Sequence, residues 1–279
     1  MGQGSRGSGL VAAGLGWGVA LGVALGTLLI APAVNGTLDQ GPFSRGATGA
    51  GEAGGAAESA ADAASRQAQS ANELLADVSS RLVSGALQGV PVTLVRTADS
   101  ADEDAAAVRW LANTAGAGAA GSLTLTEKFF DQNSADELSS IIANTLPAGA
   151  QLSVEHRSPG THAGQSLAAA LAQDPDTGEG YAAAADRDLV LDALAEAGFV
   201  QVDGPVEPAG AIIVVAGEAT EGFAGQALQD FTAALREQTN AVLATRGQAP
   251  NADAVGEVDT EAGRIRAVLA AGEQLPARG

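Results

Sequence analysis

The sequence predicts an α/β body, a mainly parallel sheet with helices on both faces, behind an N-terminal transmembrane helix and a juxtamembrane helix. Three observations carry this expectation. From residue 90 onward, runs with strand character alternate with runs of helical period, the pattern that builds parallel sheets. Ala211–Ala216 (AIIVVA) is apolar at every position, as a strand covered on both faces requires. No charged residue stands between Arg6 and Asp39.

That uncharged run comes first in the chain. Residues 9–34 read GLVAAGLGWGVALGVALGTLLIAPAV. As a helix they reach roughly 38 Å, enough for a hydrocarbon core of about 30 Å. Arg6 precedes the run and Asp39 is the first charge after it, so residues 1–8 are expected in the cytoplasm and the body outside. Ala31-Pro32-Ala33 resembles a signal-peptide cleavage site, which leaves a long signal sequence as the second reading. Gly14, Gly18, Gly22 and Gly26 recur every fourth residue and share one helix face, where a second helix can approach closely.

Residues 35–56 are Gly-rich and poor in apolar side chains, as a flexible linker is. Residues 57–84 are expected as a juxtamembrane helix. In it Ala57, Ala61, Ala64, Ala68, Ala71, Leu75, Val78 and Leu82 alternate spacings of four and three, the seam of a short coiled coil. An Ala seam buries little area, so its pairing is weak alone.

The exported domain is expected over 89–279. Strands are read at 90–95, 122–126, 199–202, 211–216 and 241–245, with a short extended piece at 151–154. Helices are read at 101–115, from 135 to Pro147, at 163–173, from Asp186 or Asp188 to Gly198, at 221–238 and at 262–275. Ser100 with Glu103, and Ser134 with Glu137, have capping-box spacing at two of the helix starts. Strand order is not readable from the sequence.

Composition excludes several chemistries. The chain of 279 residues carries a net charge of −19, with nothing to neutralise phosphates, so no nucleic-acid partner is expected. It has no cysteine, and Met1 is its one methionine, which removes thiolate and thioether metal sites. Gly116-Ala-Gly118-Ala-Ala-Gly121 spells the dinucleotide fingerprint, but a helix precedes it and a strand follows, the reverse of what pyrophosphate binding needs. Gly164-Gln-Ser166-Leu-Ala168 has nucleophile-elbow spacing with no strand leading in. Asp174-Pro-Asp176-Thr-Gly178-Glu179 opens like a calcium loop, yet its twelfth position is Ala185. His156 and His162, together in the loop EHRSPGTH beside Glu155, are the candidate metal ligands. No catalytic residue and no certain cofactor emerges, so a non-enzyme is expected.

Several segments together resemble a known family. VPVTLVRTADSADEDAAAV, DRDLVLDALAEAGFV, DTEAGRIRAVLAA and above all Lys128-Phe-Phe followed by Asn133-Ser-Ala-Asp-Glu-Leu are similar to the actinobacterial MctB family of copper-transport proteins. The resemblance implies an envelope location, with an outer-membrane label, and a part in copper homeostasis or efflux. It also implies relatives that act in cell separation beside a membrane partner. Copper then enters as cargo, and the expected partners are the inner-membrane lipid, a second copy or another envelope protein. The residues themselves favour a non-catalytic scaffold or regulator: the strands are short, and a single membrane helix cannot enclose a pore.

Overall fold

A computed structural model describes residues 49–218 and 221–273, with side chains from residue 59 onward. The expected anchor at 9–34, with Gly14, Gly18, Gly22 and Gly26, lies outside the described residues. Two compact units divide at Glu58/Ser59. Of the first unit, only 49–58 are described, and they are helical.

Helix α1 spans Gly49–Val83 and therefore starts inside the stretch expected as linker. Its last turns and the following Leu87 bury Val83 and Leu87 completely. Then come β1 (Pro91–Thr97), α2 (Asp102–Thr114) and β2 (Gly118–Leu125). Two 3₁₀ turns, Glu127–Phe130 and Gln132–Ser134, lead into α3 (Ala135–Thr145). Helices α4 (Pro159–Leu171) and α5 (Ala184–Glu196) precede β3 (Val200–Val202) and β4 (Ala211–Glu218). The chain continues with α6 (Gly222–Arg236), β5 (Asn240–Arg246), β6 (Ala254–Val255) and α7 (Glu261–Glu273).

The sheet order is β3-β2-β1-β4-β5-β6. Every neighbouring pair is parallel except β2 with β3. One core lies under α3–α6, around Leu123, Leu167, Phe199, Ile212 and Phe231. The other lies under α2, α7 and the end of α1, around Val108, Ile213, Val215, Val242 and Val268. Successive residues of β4 thus point into opposite cores, and AIIVVA needs its apolar character on both faces. The mainly parallel sheet with helices on both faces stands as expected.

Local expectations fail at two helix starts. Ser100 does not cap α2: its hydroxyl donates to Thr97 O at 2.7 Å, and Ala101 holds the cap position. Ser134 makes no cap bond either: its hydroxyl donates to Asp131 at 3.3 Å, and Glu137 pairs with Lys128 at 2.9 Å instead of reaching back. Residues 151–154 form no strand. There Ser153 N donates to the buried Gln165 at 2.8 Å, and this side-chain bond replaces a ladder. Among the described residues no helix is long and apolar enough to cross a membrane.

Candidate functional site

The histidines were expected together in one loop, and the structure separates them. Ser158 sits at the N-cap of α4, accepting from Thr161 N at 3.1 Å and donating to Asp230 at 2.6 Å. Pro159 follows at the first helical position, where its missing N–H is harmless. His162 therefore lies within α4. Its Nε2 stands 3.0 Å from Ser153 O. A carbonyl only accepts, so Nε2 donates and Nδ1 is the nitrogen left for a metal. His156 stays in the exposed loop, and its backbone N donates to Ser153 Oγ at 2.9 Å. Both histidines thus meet Ser153, one by ring and one by backbone. Among the described residues no three His, Asp or Glu side chains gather closely enough to hold a metal ion.

The remaining motifs resolve into structural parts. Gly164 and Gly160 face the backbone of α6: a Cβ at Gly164 would stand 2.7 Å from Ala234 Cβ and collide with Phe231 O. Ser166 is fully buried within the same helix, and its hydroxyl meets no partner among the described residues. The elbow spacing is therefore a helix-packing device. Asp174 closes its own turn, accepting from Thr177 N at 3.0 Å and Asp176 N at 2.8 Å. Those backbone donors, Thr177 first, hold its carboxyl below the ordinary 3.8. Gly116, at φ +93°, ends α2, and Gly118 opens β2, so the fingerprint is a helix-to-strand turn.

Open α/β sheets bind ligands beyond the carboxyl ends of their strands, where the strand order reverses. Here the reversal falls between β1 and β4, and it is closed. Asp99 lies against Gly217, its Cγ 2.8 Å from where a Cβ would stand, and accepts from Thr97 Oγ1 at 2.5 Å. Helix α2 opens on Asp102, Glu103 and Asp104, which place negative charge where a phosphate would dock. Asp104, 1% exposed, pairs with Arg246 of β5 at 2.6 Å and Arg264 of α7 at 2.9 Å. The bond to Asp104 raises the Arg246 pKa above its ordinary value. Arg96 pairs with Asp102 at 2.5 Å and Glu103 with Arg246 at 2.9 Å. This end of the fold is an ion network that clamps α2 to the sheet.

One strand further, between β4 and β5, lies an open cleft of about 620 Å³. Glu218, Glu221, Gln226, Arg246 and Gln248 line it. The sequence reading missed it because its residues come from two segments that only the β4–β5 pairing unites. A legible signal was the pair Gly222, which opens α6, and Gly247, which directly follows β5, both at positive φ.

The helical seam is the other candidate. Ala61, Ala64, Ala68 and Ala71 are exposed, Leu75 and Val78 are half-buried, and Leu82 is 50% exposed. The body is met by a neighbouring face instead: Ser79 and Val83 are buried, and Asn72 Oδ1 accepts from Glu261 N at 2.6 Å. Seam and body face share Leu75, which packs at the edge of the core.

The family model described as "Copper transport outer membrane protein, MctB" matches residues 9–278. The "Copper transporter MctB" of Mycobacterium tuberculosis (strain ATCC 25618 / H37Rv) is 34% identical over 233 residues, covering 75% of this chain and 74% of its own length. That of Mycobacterium bovis (strain ATCC BAA-935 / AF2122/97) gives the same figures, 34% over 233 residues. That of Mycobacterium leprae (strain TN) is 32% identical over 216 residues, 68% of each chain.

Proposed function

Because this chain belongs to the MctB family, we propose that it serves copper homeostasis at the cell envelope, as an anchored and non-catalytic protein that contributes to copper efflux. The single observation behind this reading is the family match, which runs over residues 9–278 and so takes in the expected anchor together with the body. In it, the N-terminus is cytoplasmic, residues 9–34 cross the inner membrane and the α/β body faces away from the cytoplasm. Copper is cargo. With no cysteine and one methionine in the chain, its nitrogen ligands are His156 and His162, a set suited to Cu(II) and poorly to Cu(I). A deletion strain tests the reading: copper sensitivity is the expected result, and wild-type tolerance overturns it. Calorimetry of the full chain with Cu(II) and with Cu(I), repeated on His156→Ala, His162→Ala, separates direct binding from an indirect role.

A second reading is favoured by the exposed seam of α1. In it the chain is a scaffold or regulator of cell separation that pairs with a second copy or another envelope protein. The Gly14, Gly18, Gly22, Gly26 face then joins helices in the membrane, and the Ala61–Leu82 seam joins them beyond it. Removing residues 57–71, short of the Asn72, Leu75 and Ser79 contacts with the body, should abolish the complex while the α/β body keeps its thermal transition. A complex that survives the deletion rules this reading out.

A further inference from the structure

At the end of the sheet away from the carboxyl-end cleft, a second pocket of about 480 Å³ opens between the turn after α3 and the far end of α6. This lies within the roughly 300–1,000 Å³ span of small-molecule sites. Its wall is formed by Tyr181 together with Pro147, Ala150 and Ala169, and its polar groups are Gln151 and Gln238. None of the described residues that line it is charged, although the chain carries 33 acidic residues and Asp186 stands behind Ala148.

The pocket is held open by bonds that do not involve its lining side chains. Ala150 N donates to Pro147 O at 3.0 Å and closes the turn, with Gly149 at φ +83°. Ala148 N donates to Asp186 at 3.2 Å, tying the turn to α5, and Tyr181 N donates to Ala172 O at 3.1 Å. Tyr181 is 49% exposed. Its hydroxyl and the two carboxamides have no hydrogen-bond partner among the described residues. A fixed frame therefore gathers one tyrosine, several apolar residues and two glutamines around the pocket, each glutamine amide a donor and an acceptor at once.

We propose that this pocket binds a neutral saccharide. A pyranose ring has an apolar C–H face that stacks on an aromatic ring. Its hydroxyls both give and accept hydrogen bonds, and a carboxamide, itself donor and acceptor, meets both needs without carrying charge. An uncharged lining removes the attraction for an ionic ligand. A proline-rich peptide, another ligand that packs on tyrosine, needs a groove lined by several aromatic rings, and Tyr181 is the one aromatic among the described residues that line this pocket. The inference is independent of the copper reading: a copper-tolerant deletion strain leaves it standing.

Having a single tyrosine makes the test direct, because 3-fluorotyrosine gives the full-length chain one ¹⁹F resonance. Titration with neutral disaccharides (cellobiose, a galactose disaccharide, N,N′-diacetylchitobiose) is expected to shift that resonance saturably for at least one of them. The same titration of Gln151→Ala, Gln238→Ala should show at least fivefold weaker binding, with the ring still present. If the double variant loses its thermal transition, Gln151→Ala alone, on an exposed turn, carries the comparison. No shift, a shift that does not saturate, or undiminished binding by the variant overturns the proposal. A response only to a decaproline peptide also overturns it and assigns the groove to polypeptide.

Discussion

Asp104 accepts two arginines from two other elements while almost wholly withdrawn from water, so its charge is the hinge of the ion network. Asp104→Asn leaves Arg264, itself mostly buried, without its closest anion. The urea midpoint should fall well below that of Glu103→Gln, whose carboxylate is 71% exposed and contributes little. Equal midpoints would mean that the network adds nothing to stability. Gly164 meets a different limit, since any side chain there enters the backbone of α6. Gly164→Ala should cost about 1–3 kcal/mol by overpacking, read by chemical denaturation. Asp174 supplies a pH dependence. Its folded pKa lies below 3.8, so its contribution is complete above pH 3.8 and is lost as pH falls through the lower folded value. A carboxyl ¹³C titration should place its midpoint under 3.8, and a midpoint at or above that value contradicts the turn. The serine and glutamate spacings that read as capping boxes were misleading at this scale. Lys128 had already taken Glu137, and a local pattern holds no record of a distant competitor.

Elements with strong internal periodicity were legible. The apolar β4 and the amphipathic α6 stand close to their expected limits, Ala211–Glu218 and Gly222–Arg236. Elements that depend on neighbours were not. β2 begins at Gly118, in a Gly-Ala run with little strand propensity, because β1 supplies a ready ladder alongside it, with an irregularity between Val92 and Thr93. β6 has only two residues and exists through its pairing with β5. The order of the strands lay beyond any local pattern, as did the two pockets, whose walls come from separate segments. The histidines were found as residues, but the N-cap at Ser158 that pulls one of them into α4 was not. For α1 the heptad was legible, and the structure adds that the body occupies the adjoining face. If the seam pairs, Ala64→Leu with Ala71→Leu should tighten self-association more than tenfold, since each added leucine buries apolar area worth about 2 kcal/mol. Leu82→Asp should weaken it. Sedimentation equilibrium reads both, and no change in either variant removes the pairing.

Across the whole molecule, a net charge of −19 makes two copies repel, while residues 59–83 carry three acids against two arginines. Raising salt screens the bodies more than it weakens an Ala-lined contact, so self-association of the full chain should increase from 20 to 500 mM NaCl. A complex that dissolves with salt would be held by ion pairs instead. The six-stranded sheet stops at β3, three residues long and antiparallel, and at β6, two residues long. These stubs expose few unpaired amides and carbonyls for a foreign strand to copy. Crowded copies of this protein are thereby kept from zippering into fibrils along their flanks, and whatever assembly they form has to be made by side chains.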